Sequence, residues 1–155
     1  MRGGISVEAV EKKLYQYSGY KKRIEEQEKQ IVELMDKKDV LAERMLRGRN
    51  LDIVRVMGGF ASDPVFIAVQ KMVDVYGAMI DAIRHELVDL YFKADEIIRL
   101  VNAAGLTDME RQYIQYRYFD GLRASQTAAK LDYSEGHARK IKNSSLLKIC
   151  AVLER

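Results

Sequence analysis

The sequence predicts an all-α protein: a long antiparallel helical hairpin of coiled-coil character followed by a C-terminal helix-turn-helix. Three observations lead there. The 155 residues include one proline and no tryptophan and are 48% hydrophobic and 32% charged, and their wealth of Glu, Lys, Leu, Ile and Ala favours helices over strands. Apolar residues from Phe66 to Val101 recur in unbroken alternating steps of three and four, the spacing of a helix packed along one seam. Between Thr107 and Ile149, caps, a glycine stop, small residues and a basic segment follow in the order that three short helices require. The expected division is a scaffold over residues 1–104, with a connection at 48–62, and a helix-turn-helix unit over 105–155.

The first helix is expected over about Ser6 to Arg47. Tyr17, Tyr20, Ile24, Ile31, Leu34, Leu41 and Met45 keep a heptad register that Gln27 and Lys38 interrupt, and polar seam residues of this kind fix register or partner number. Ser18-Gly19 is expected to fray or kink its start and Gly48 to end it. The connection carries Leu51, Ile53, Val54, Val56, Met57 and Phe60, too apolar to stay in water, so it should pack on the helices or on a second subunit.

The second helix opens with Asp63 as cap and Pro64 at the first helical position, where a missing amide proton costs nothing. Its seam is Phe66, Val69, Val73, Tyr76, Ile80, Ile83, Leu87, Leu90, Ala94, Ile97 and Val101. Met72, Met79, Val88, Tyr91 and Ile98 lie off that seam and need cover. Two helices make a thin core, so a homo-oligomer, a dimer first, is favoured over a monomeric hairpin.

Thr107 can cap a third helix whose Glu110 reaches back to the cap residue. This helix should run through Tyr113, Ile114, Arg117 and Tyr118 and stop at Asp120-Gly121. A short helix over about Ala124 to Leu131 presents Ala128 and Ala129 as a close crossing point, and Asp132-Tyr133 makes a turn. Ser134 then caps the last helix, with Ala138, Ile141, Ser145 and Ile149 on its inner face.

The other face of that last helix carries the candidate DNA-binding residues: Ser134, Glu135, His137, Arg139, Lys140, Lys142 and Asn143, with Arg123 before the preceding helix. Such a helix fits the major groove. There Arg139 matches guanine and Asn143 adenine, while lysines meet phosphates. Glu135 is either a first-turn acid favoured by the helix dipole or an acceptor from cytosine. The plain alternative is a three-helix packing unit with a solvated basic face. Charge distribution favours double-stranded DNA as the partner: from Gly121 onward seven basic residues oppose three acidic, a net of +4, against six basic and ten acidic, a net of −4, over residues 63–120.

Glu110-Arg111, Tyr116-Arg117-Tyr118, Asp120-Gly121-Leu122, Gln126-Thr127-Ala128, Leu131-Asp132-Tyr133-Ser134 and Ser145 to Ile149 together resemble region 4 of sigma factors. The resemblance covers about the last third of the chain. It departs at Thr127, where a larger aliphatic is usual, at Asp132 in place of Gly, and at Ala138 in place of Val or Ile. The layout of charged coiled coil, apolar glycine-containing connection, long helix and sigma-like end is similar to the small phage-encoded activators of the RinA and ArpU type. That resemblance implies a promoter-binding activator of late phage genes with host RNA polymerase as a further partner. The alternatives are a DNA-packaging protein of the small-terminase kind, whose reading unit is usually N-terminal, and a coiled-coil interaction protein that binds no DNA.

Nothing in the sequence points to catalysis. It has no Gly-rich phosphate loop and no Cys or His pair at metal-ligand spacing, and His85, beside the seam, reads as a structural or surface residue. No metal site, no cofactor and no enzyme activity are expected. Lone Cys150 is expected as a small core residue. With no signal segment or membrane-length apolar run read in the sequence, the expected location is the cytoplasm of a bacterial host cell, with no membrane partner.

Overall fold

A computed structural model of the chain describes residues 6–52 and 64–155. Every regular element among them is helical: α1 (Val7–Asp52), α2 (Pro64–Ala103), α3 (Asp108–Ile114) continued by one π-helical turn (Gln115–Phe119), α4 (Ala124–Lys130) and α5 (Glu135–Leu153). None of these helices is long and apolar enough to cross a membrane. The all-α expectation holds.

Ser6 starts α1 by accepting from the Ala9 amide, at 3.1 Å. The helix runs through Gly19, where fraying or a kink was expected, and through Gly48, where a stop was expected. A glycine inside a helix costs about 1 kcal/mol relative to alanine, too little to end a helix of this length. Pro64 takes the first position of α2 as expected. The rest of the connection, from Ile53 with its apolar residues to the Asp63 cap, lies outside the described residues.

The two long helices contribute to two compact units, Met1–Arg23 with Leu90–Arg155, and Ile24–Asp89. In the second unit, the seam positions on α2 (Phe66, Val69, Val73, Tyr76, Ile80, Ile83 and Leu87) are all buried or half-buried. So are Ile24, Ile31, Leu34, Leu41 and Met45 of α1, together with the polar interruptions Gln27 and Lys38. Lys38 places its ammonium over Gly77 of α2, where an added Cβ would stand 3.7 Å away. Met72, Val75 and Met79 are exposed beside this seam.

The first unit has the larger core. Val10 and Leu14 of α1 and Ile97, Leu100 and Val101 of α2 join Leu106, Tyr113, Ile114, Tyr118, Phe119, Ala128, Leu131, Ala138, Leu146, Ile149 and Cys150 in one cluster. Leu90 is buried as well, and Cys150 takes its expected core place. Here α1 and α2 run antiparallel: Lys13 pairs with Glu96 at 3.6 Å, and Lys93 lies 6.0 Å from the centre of the Tyr20 ring. Ile98 packs on the cluster, whereas Tyr91 and Phe92 face solvent.

Candidate nucleic-acid interface

The interface is built from the chain's local grammar. At the start of α3 the expected reciprocal cap forms: the Glu110 amide donates to Thr107 Oγ1 at 3.2 Å, and the Thr107 amide donates to Glu110 Oε1 at 3.0 Å. The same carboxylate then crosses to α5, accepting from Ser144 Oγ at 2.9 Å and from the Lys148 ammonium. Burial alone would push its pKa up, but the Lys148 ammonium, the Thr107 amide and the Ser144 hydroxyl together hold it down at about 2.

After Ile114 the helix widens into a π turn, closed by the Asp120 amide donating to the Gln115 carbonyl at 2.8 Å. Widening brings residues five apart onto one side, so Tyr113 and Tyr118, and likewise Ile114 and Phe119, are all buried. The Tyr113 and Tyr118 rings meet edge to face at 6.4 Å. Gly121, at φ +76°, turns the chain out of the helix at the expected stop. The Arg123 amide donates to Gln126 at 3.0 Å to begin α4, and fully buried Thr127 returns its hydroxyl to the Arg123 carbonyl at 2.9 Å.

The turn into α5 needs a left-handed residue, and Asp132 supplies it at φ 59°. An Asp tolerates that conformation better than most residues with a Cβ. Ser134 caps α5 by accepting from the His137 amide at 3.2 Å. The Tyr133 and His137 rings lie 4.3 Å apart. Ala138 and Ala128, both buried, let α5 cross α4 closely.

Of the expected DNA-binding residues, Arg123, Ser134, Glu135, His137, Arg139, Lys140 and Asn143 are exposed. Glu135, Arg139, Lys142 and Asn143 share an open cleft of about 280 Å³ with Tyr113, Arg117, Ala124 and Ala138. Arg139 and Asn143, one helical turn apart, stand on the same wall. His137 and Lys140 lie outside the cleft. Lys142 is half-buried and turned inward, its ammonium 3.4 Å from the Glu11 carboxylate of α1.

Two residues of this region escaped the sequence reading. Arg117 sits 5.3 Å from the Tyr15 ring centre and 5.7 Å from that of Tyr118, and donates to the Leu122 carbonyl at 3.0 Å. Its guanidinium group lines the cleft; its place in the Tyr116-Arg117-Tyr118 motif was the available signal. Glu11 had none, because only the tertiary fold brings it to α5. The charges of the cleft are Arg117, Arg139 and Lys142 against Glu135, an arrangement suited to an anionic ligand. Among the described residues no group of three or more His, Cys, Asp or Glu is placed to hold a metal ion.

No curated protein and no solved structure matches the chain. Residues 104–149 match the family model for sigma-70, region 4, and this part of the chain is a helix-turn-helix DNA-binding region.

Proposed function

We propose that the protein is a sequence-specific transcription regulator that binds double-stranded promoter DNA through residues 105–155, with residues 1–104 as its scaffold. The observation that carries this reading is α5, a Ser134-capped helix with Arg139, Lys140 and Asn143 exposed on its first three turns, inside a sigma-70 region 4 match. In the finer form of the proposal it activates late phage genes in a bacterial host cell, with host RNA polymerase as a partner. The layout of the chain supports that form. A dimer is the proposed state, supported by the exposed apolar residues Met72, Val75 and Met79 on α2.

Selection from a genomic library with purified protein tests the reading, since a recovered motif gives both sequence and symmetry. Arg139→Ala should then cost on the order of 1–3 kcal/mol on the recovered site and relax preference at one base pair. Equal loss on all sequences would assign Arg139 to phosphate alone, and no recovered motif would defeat sequence-specific binding. A palindromic motif is expected of a dimer. An assembly of eight or more subunits would replace the promoter reading with DNA packaging.

A further inference from the structure

The contact between Glu11 and Lys142 ties the first turns of α1 to the middle of α5. Lys142 lines the cleft with Arg139 and Asn143, yet its ammonium is directed at Glu11 Oε1, 3.4 Å away. The Tyr15 hydroxyl, one turn along α1, donates to that same oxygen at 3.4 Å. Both partners of the ion pair are partly buried, with 30% of the Lys142 side chain and 22% of the Glu11 side chain exposed, so the pair is less screened than one on an open surface. Its frame is rigid, because Val10 and Leu14 on either side of Glu11 are fully buried in the core that also holds Leu146. Tyr15 in turn lies against Arg117 and packs edge to face on Tyr118 at 4.8 Å.

We propose that Glu11 occupies Lys142 in place of a DNA phosphate, so that α1 limits the sequence-independent affinity of the reading head and leaves discrimination to Arg139 and Asn143. A carboxylate offers an ammonium the same acceptor chemistry as a phosphate oxygen. Fixed beside Lys142, it removes one cation from those that release counterions on binding, and it adds a negative charge that repels the backbone. Base contacts are untouched by that substitution of partners. The ratio of specific to non-specific binding therefore rises at the expense of total affinity.

This inference rests on the DNA-binding reading, and one experiment separates the two. Binding of the full chain to a mixed-sequence duplex is measured across a salt series, for wild type and for Glu11→Gln, which keeps the shape and the Tyr15 hydrogen bond. The expected result for Glu11→Gln is about three- to tenfold tighter binding at low salt and a salt slope steeper by about 0.9, the signature of one more phosphate contact. Adding Lys142→Gln to Glu11→Gln should abolish the gain. Thermal melts confirm that the variants are folded at the measuring temperature. An unchanged slope, or weaker binding by Glu11→Gln, overturns the proposal while leaving DNA binding intact; no binding by wild type at any salt overturns both.

Discussion

Glu110 joins Thr107, the cap of α3, to two side chains of α5, and its low pKa reflects how much the fold depends on its charge. The carboxyl titrates at about 2 in the folded protein against 4.5 for the ordinary group. A carboxylate depressed on folding contributes its full stabilisation above about pH 4.5 and loses it as pH falls towards 2. That stabilisation is on the order of 3 kcal/mol. Glu110→Gln should therefore lower stability by a few kcal/mol near neutrality and flatten the acid limb between about pH 5 and 2, measured by urea titration across pH. A parallel acid limb in the variant would show that other carboxylates govern it. Asp132 offers a second residue-scale test. At φ 59° a β-branched side chain is strained, so Asp132→Val should cost about 1–2 kcal/mol while Asp132→Gly should be near neutral. Equal losses from both would mean that the Asp side chain, not the backbone, matters at this turn.

Helix starts and stops were legible where a single side chain decides them. Thr107, Glu110, Gly121 and Ser134 act as their residue types dictate. The π turn was not legible: it inserts one residue so that Tyr118 and Phe119 both reach the core, a gain visible only against the helices packed on it. Gly48 was misread for the opposite reason, since its propensity is real but small beside that of a 46-residue helix. The seams were readable from spacing alone, including the place of Gln27 within one of them. Gln27 leaves its side-chain carbonyl oxygen buried without a hydrogen-bond partner, and an unsatisfied buried acceptor costs about 1–3 kcal/mol. Gln27→Leu should consequently raise the melting temperature by several degrees. A lower melting temperature would reveal that the amide carries a compensating contact in the native assembly.

The placement of the candidate residues is local: seven of the eight lie between Ser134 and Asn143, and of these all but the half-buried Lys142 are exposed along one helix and its cap. What the sequence concealed is the origin of the core beneath that helix. Val10 and Leu14 come from the first turns of α1, and Ile97, Leu100 and Val101 from the end of α2, yet all five pack with Tyr113, Tyr118, Leu146 and Ile149. No short-range pattern announces such a contact: Val10, Ile97 and Val101 also fit the heptads of their own helices, and Leu14 and Leu100, which fall outside those heptads, name no partner. The helix-turn-helix is thus completed by the long helices rather than appended to them. Truncating one buried leucine costs about 2–5 kcal/mol, against a total stability of about 5–15 kcal/mol for a small domain. Leu14→Ala should lower the melting temperature of the full chain and weaken DNA binding only as the fold is lost. A fragment of residues 105–155 lacks all five core side chains and should show no cooperative melt by circular dichroism and no salt-resistant DNA binding. A sharp thermal transition in that fragment, with retained binding, would establish that the C-terminal helices fold alone and that α1 and α2 only shelter them.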